Sequence, residues 1–273
     1  MKNQIIAEKQ DLTYLKWSHT RNSSGTAGTF LKSQSKISGE KVYYKLSNYD
    51  SEKGIIGHEC VNEIIVDRLL SILGVEHLNY QLIHADVDID GKLCDTYICA
   101  SKDFKKKGET KAALDAFYQI NRTGNESHYE FCVNCGWQKY IDTMLVIDYL
   151  IMNRDRHGAN IEVLRNARQH SLRIAPLFDH GLSLLCSCFT EKEIEMFDIM
   201  ENKPCNNFIG SRFSIENLNL IHDKSNVFTN RLKEADKEIL FDGLDGILSQ
   251  EHLKKIWDMI WLRWCHYENL CNL

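Results

Sequence analysis

Two short stretches hold the residues best suited to chemistry. The first is Ile151-Met152-Asn153-Arg154-Asp155-Arg156-His157-Gly158-Ala159-Asn160, a polar loop after a strongly apolar segment. The second is Pro176-Leu177-Phe178-Asp179-His180-Gly181, where an Asp ends a short apolar run. An Asp, an Asn five positions on and a second Asp suit phosphoryl transfer. One carboxylate meets the acceptor hydroxyl, while an amide oxygen and the other carboxylate hold Mg2+ against the phosphates of ATP. Asp155 takes the first role, and Asn160 and Asp179 the second. Turn formation is the ordinary reading of each piece alone: Asn153 and Asp155 as turn formers, Asp179 as the end of a strand. The ordered set of three, with a lysine-bearing strand upstream, favours the chemistry.

That strand is Lys41–Leu46, rich in β-formers. Lys45 near its end is the candidate for pairing with the ATP phosphates. Ahead of it, Arg21–Thr29 is a small-residue turn. Ser24, Gly25 and Thr26 would turn their backbone N–H groups to phosphate, although such a turn is more often a plain hairpin. Val61, Ile64, Ile65, Leu69, Ile72 and Leu73 recur at helical spacing, predicting a helix over 58–73 closed by Gly74. Within it, Glu63 is the candidate anchor for the lysine and Glu59 the reserve. Both also suit the positive end of a helix dipole without any further role.

The remaining elements position these groups. Strands are expected over 11–46, 78–84 and 94–100, the last two joined at Asp90-Gly91. The polar break at 101–104 is the expected hinge, where backbone around Ser101, Lys102 and Asp103 would hold adenine. Helices are expected over 110–120 and 137–152. In the second, Asp148 falls in an apolar stripe and needs a buried partner; His157 or loop backbone is expected to supply it. Strands 161–164 and 172–175 would carry Asn160 and Asp179 to one place. Residues 182–210 form an activation or substrate loop in which Glu191, Glu193, Glu195, Asp198 and Glu201 outnumber Lys192 and Lys203. Two short helical patterns follow over 213–240. A terminal helix over 250–270 turns Leu253, Ile256, Trp257, Ile260, Trp261, Trp264 and Tyr267 inward.

Composition bounds the answer. The 273 residues carry a net charge of -5, so bulk attraction to nucleic acid or to an anionic membrane is not expected. No apolar signal segment follows Met1, and ten cysteines in such a chain read as reduced thiols of a cytoplasmic protein. Export without a classical signal is the alternative. Cys132 and Cys135 make half a zinc site at most.

Asn153–Asn160 and Phe178–Gly181, with Asn62-Glu63 in their helix and the loop near Ser24, resemble the motifs of HipA-like serine/threonine kinases. The Asp155-Arg156-His157 run with Asn160 is also similar to phosphatidylinositol kinases, which have a related fold. The resemblance covers roughly residues 20–225. It implies an α+β, bilobal protein-kinase-like fold: an N-lobe over 1–105 with an antiparallel sheet and one helix, and a mostly helical C-lobe over 106–273. It implies a Mg-ATP-dependent kinase acting on protein hydroxyls. Asp155 would be the base, and His157 would position the loop or touch nucleotide. Asn160 and Asp179 would hold Mg2+, and Lys45, supported by Glu63, the phosphates. Autophosphorylation on a phosphate-loop serine is a family trait; Ser23, Ser24 and Thr26 lie at comparable places. The extra N-terminal subdomain of full-length HipA is expected to be absent, and the third glycine of a strict Gly-rich loop is missing. An antitoxin or small accessory protein is the implied partner besides a protein substrate. A lipid or small-molecule kinase, or a non-catalytic toxin–antitoxin component, is the competing reading. The acidic loop after Gly181 disfavours a phosphoinositide substrate, and intact Asp155, Asn160 and Asp179 disfavour a non-catalytic one.

Overall fold

A computed structural model describes residues 4–18 and 30–271. The phosphate-loop candidates Ser23, Ser24, Gly25 and Thr26 lie outside the described residues. The chain runs β1 (Ile5–Asp11), β2 (Lys32–Ile37), β3 (Glu40–Lys45), β4 (Tyr49–Asp50), β5 (Gly54–Ile55), α1 (Glu59–Leu73), β6 (Tyr80–Ile89) and β7 (Lys92–Lys102). It continues with β8 (Thr110–Ala113), α2 (Leu114–Asn121), α3 (His128–Asn134), α4 (Gln138–Leu150), β9 (Asp155–Arg156), β10 (Glu162–Asn166) and β11 (Ser171–Ile174). Then come α5 (Glu191–Met196), β12 (Asn206–Asn207), α6 (Ser214–Asn217), α7 (Asp236–Phe241) and α8 (Gln250–Cys271).

The first half builds one five-stranded sheet in the order β1-β6-β7-β3-β2. The hairpin β6–β7 turns at Asp90 and Gly91, both at positive φ, with Ile89 paired to Lys92. That is the two-residue turn whose twist suits a hairpin. The sheet is mixed rather than antiparallel throughout, because β1 runs parallel to β6 with Ile5 opposite Leu82. A parallel partner needs a long crossover, and β2, β3 and α1 lie within the one that separates them. Helix α1 packs on β6 and β7 and against α7. Its apolar face is buried, and Gly74 in the left-handed region donates its N–H to the carbonyls of Leu70 and Ser71.

The second half holds helices α2 to α8 and a small sheet β11-β10-β8. The helix expected over 110–120 starts four residues late. Thr110–Ala113 instead forms an edge strand on β10, with Glu162 opposite Ala113, so sheet pairing overrides helix propensity there. Helix α3 lies outside the helices that the periodicity predicts. Its capping box, in which Ser127 and Glu130 each bond the other's backbone N–H, was nonetheless written in the sequence. Residues 182–210 contain α5 and end at β12, which pairs in parallel with β9. Helix α8 packs on α4 and α5. Its Ile256, Ile260, Trp264 and Tyr267 are buried, whereas Trp261 is only partly so. Among the described residues no helix is long and apolar enough to cross a membrane.

Candidate active site

Helix α4 delivers Asp148 to the core, 2% exposed, in the last turn of the helix. Met152 at φ 50° then reverses the chain, and the Asn153 N–H caps the Asp148 carbonyl at 2.9 Å. The buried carboxylate receives the Asn153 amide at 2.8 Å and a fork from Arg156, whose Nε and Nη2 both lie at 2.9 Å. Neither expected partner, His157 or loop backbone, is the one used: the carboxylate is held by the Asn153 and Arg156 side chains. Side chains alternate along a strand. In β9 this turns Arg156 inward, 1% exposed, and leaves Asp155 facing out. Burial would depress the guanidinium, but Asp148 more than compensates and holds it above its ordinary value. The free arm of Arg156, Nη1, reaches the Phe178 carbonyl at 2.9 Å and the Asn160 carbonyl at 3.3 Å. One buried cation therefore joins α4, the 153–160 loop and the residue before Asp179.

Asp155 sits at the mouth of this loop. Its N–H donates to the Asn153 amide oxygen at 3.2 Å, and its Oδ1 accepts from Asn206 Nδ2 at 3.0 Å. The parallel pairing of β12 with β9 puts Asn206 there. His157 Nε2 lies 3.5 Å from Asp155 Oδ2, while its Nδ1 accepts the Ala159 N–H at 3.1 Å. The neutral ring then carries its proton on Nε2, the atom facing Asp155. Asn160 donates its amide to the Asp155 carbonyl at 3.0 Å, which fixes that side chain's orientation.

Lys45 comes from the far end of β3. Its Nζ lies 2.9 Å from Glu63 Oε1 and 2.7 Å from Asp179 Oδ1. Burial pulls the ammonium down, but Asp179 and then Glu63 outweigh it, so Lys45 stays charged well above its ordinary range. The other Glu63 oxygen accepts the His180 N–H at 2.9 Å. Glu59 serves elsewhere, accepting the Asn48 N–H at 3.0 Å. Asp179 takes a left-handed φ of 60°, held by its N–H on the Tyr80 hydroxyl at 3.2 Å. Such strain in a non-glycine residue persists where surroundings over-determine it. Gly181 follows at a tight spot: a Cβ would lie 3.1 Å from Lys45 Nζ and from Glu59 Cβ, so a side chain there would press on the lysine. Asn62 ties the same turn to α1, its amide donating to the Gly181 and Ser183 carbonyls at 3.0 Å.

Lys45, Asn160, Asp179, Ser101, Asp103 and Phe178 all line one cavity of about 700 Å³ beneath the sheet. At its far end the Phe104 and Phe178 rings stand 5.5 Å apart. The Asp103 N–H is engaged with the Lys41 carbonyl at 3.2 Å, and the exposed Lys102 reaches out to Glu40. Of the expected site residues, Lys45, Asp179 and Asn160 line the cavity, Glu63 is joined to it through Lys45, and Asp155, with His157 beside it, through Asn160. Sequence reasoning missed Arg156, Tyr80 and Asn206. Arg156 stood in the motif itself, whereas Asn206 gave no signal.

No family model matches the sequence, and no curated protein matches it. Among solved structures the chain is similar to the Helicobacter pylori proinflammatory kinase CtkA, with a TM-score of 0.58 at 15% identity over 93% of each chain. It is less similar to HipA of a Shewanella oneidensis toxin–antitoxin complex with HipB and operator DNA (TM-score 0.40, 14% identity, 90% of this chain and 58% of that one). A golgi casein kinase scores 0.43 at 14% identity, covering 90% of this chain and 71% of that one. The first likeness defines the fold as kinase-like, a mixed α+β arrangement of sheet and helices. The other two scores are too low to add to it.

Proposed function

We propose that this chain is a Mg-ATP-dependent protein serine/threonine kinase of the HipA-like type. One observation carries the reading. Lys45 Nζ sits between Glu63 and Asp179 at 2.9 and 2.7 Å, in the wall of a cavity that Asn160 also lines, and the Asn160 amide is bonded to the Asp155 carbonyl at 3.0 Å. In this reading residues 1–105 and 106–273 are the two lobes, with nucleotide between them. Adenine lies toward Ser101–Asp103 and Phe178, and the phosphates lie toward Lys45. A small accessory protein as partner belongs to the same proposal and rests on the sequence motifs alone.

Asn160 and Asp179 fit magnesium by donor chemistry, since both offer the hard oxygen atoms that this ion takes. When bound, the ion would neutralise charge on the phosphate oxygens. The protein's own part is mainly positioning, because the transferred phosphoryl group passes through a loose transition state. Lys45 pairs with phosphate oxygens while Glu63 keeps its ammonium in place. Asp155 orients the acceptor hydroxyl and takes its proton on a carboxylate oxygen. Asn206 and His157 hold that carboxylate in line. Arg156 fixes the loop carrying Asp155 and Asn160 to the chain entering Asp179.

The test is incubation of the full chain with γ-labelled ATP, Mg2+ and a cell lysate. Label should appear on serine or threonine of a protein, and Asp155→Ala should abolish it while calorimetry still shows nucleotide binding. A chain that binds Mg-ATP but labels only a lipid or a small molecule would overturn the protein-kinase reading.

A further inference from the structure

Behind the Lys45 stem lie two cysteines with no part in the proposed phosphate chemistry. Cys60, in the first turn of α1, is fully buried and donates its Sγ–H to the Lys45 carbonyl at 3.2 Å. Cys99, in β7, is 1% exposed and stands directly opposite Lys45 in the β3–β7 ladder. Helix and sheet thus bring both thiols to one residue, within electrostatic reach of each other. Cys99, unlike Cys60, also lines the 700 Å³ cavity, so a small solute entering there meets its side. From these placements we propose that Cys60 and Cys99 are a peroxide-oxidised dithiol, closing to a disulfide that clamps α1 to the sheet at Lys45.

The local electrostatics put the thiolate on Cys60, while the Cys60 neighbour and then burial hold the Cys99 thiol well above its ordinary value, so Cys99 must hand its proton to Cys60 before it reacts. Burial alone would push the Cys60 thiol up, but hydrogen bonds from Cys99 and Ser47 and the Lys45 charge bring it below its ordinary value. The pair therefore releases a proton more readily than a lone buried thiol, and a thiolate is what attacks peroxide. The remaining proton passes from Cys99 to Cys60 as the Cys99 sulfur attacks a peroxide oxygen. The O–O bond breaks, and hydroxide leaves to meet the proton that the pair released, giving water and Cys99 sulfenic acid. The Cys60 sulfur then attacks the Cys99 sulfur. The S–O bond breaks, and the hydroxyl departs with the Cys60 proton as a second water. Two thiols and one hydrogen peroxide become one disulfide and two waters. The bond requires the two sulfurs to close to about 2.05 Å.

The bond would tie α1 one turn ahead of Glu63 to the strand facing Lys45, fixing the helix that supplies the anchoring carboxylate. Its formation does not depend on the kinase reading, so a failed kinase assay leaves it standing. The experiment treats the full chain with hydrogen peroxide, blocks remaining thiols, and maps peptides with and without reductant. A Cys60–Cys99 linked peptide should appear with a mass loss of about 2 Da, reversed by dithiothreitol. Amide exchange in α1 should slow at least about tenfold in the oxidised protein. Cys99→Ala should abolish the linked peptide, and Cys60→Ala should leave Cys99 trapped as sulfenic acid by dimedone. Oxidation of the part-exposed Cys135 or Cys186 with no Cys60–Cys99 link would overturn the proposal. Unchanged α1 exchange in the linked protein would overturn the clamp.

Discussion

The guanidinium of Arg156 forks onto the Asp148 carboxylate at 2.9 Å through both Nε and Nη2, and neither side chain is more than 3% exposed. Removing either partner strands a charge in the core, which costs about 3–5 kcal/mol. Asp148→Ala should therefore lower unfolding free energy by that amount in urea titrations. The pair Asp148→Leu with Arg156→Met should be less harmful to stability than Asp148→Ala alone, because no buried charge is left unpaired. It should still lower activity, since Arg156 also holds the Phe178 and Asn160 carbonyls. A double variant as unstable as the single would show that the cost lies in packing rather than charge.

Asp155 and Asn206 separate proton handling from positioning. Asp155→Asn keeps the shape and loses the base, so phosphate transfer should fall by about 10²–10⁴ while nucleotide affinity holds. Asn206→Ala removes only the 3.0 Å bond that orients Asp155. Its kcat should fall about tenfold, the effect of a slightly misaimed group, with nucleotide KM unchanged. An Asn206→Ala enzyme with wild-type kcat would place Asn206 outside the machinery.

Asn206 also marks the limit of what the chain alone discloses. Local periodicity set out α1, α4 and α8, and the Asp90-Gly91 turn set out the β6–β7 hairpin. Gly74 and the order Asp155, Asn160, Asp179 were legible because each depends on neighbours a few residues away. A two-residue parallel bridge between β12 and β9 depends on partners 51 positions apart, and nothing in Asn206-Asn207 announces it. The Lys45–Asp179 contact spans 134 positions. It was legible only because the chemistry demanded that both meet phosphate. Asp148 shows an intermediate case: its burial followed from the apolar stripe, but its partner required the in–out alternation of β9, which turned Arg156 inward instead of His157. The parallel β1 and the edge strand β8 were set by sheet pairing that no short window contains.

Lys45 and Asp179 share one ion pair, so their variants should divide. Asp179→Asn removes a charged oxygen donor from the proposed magnesium position while leaving an amide of the same size. Mg-ATP affinity should fall about tenfold or more, roughly 1.4 kcal/mol, and nucleotide affinity measured in excess chelator should change little. Lys45→Met should weaken nucleotide in both conditions and should also destabilise the fold, because Glu63 is left fully buried without its cation. Calorimetry with and without Mg2+ reads both. Equal losses in the two conditions for Asp179→Asn would remove its metal role.

His58 and His252 give the fold a pH dependence separate from the site. Their rings meet edge-to-face at 4.6 Å, joining the start of α1 to α8, and each has a buried Nε2 with no hydrogen-bond partner. Burial, followed by the neighbouring His252, lowers His58 from 6.5 to about 4, and burial lowers His252 as well. The sign follows from linkage. Between about pH 4 and 6.5 the unfolded chain binds a proton at His58 and the folded chain does not, so stability rises with pH across that window. The contribution is whole above pH 6.5 and is lost as pH falls toward 4, up to about 3 kcal/mol for His58. Carboxylates add their own slope toward the acid end, so the comparison is with His58→Phe, which removes one titrating ring and keeps an aromatic against His252. Urea unfolding at half-unit steps should show a shallower acid slope in the variant between pH 6.5 and 4. Identical slopes would mean that His58 opens to solvent and takes up its proton without unfolding the chain.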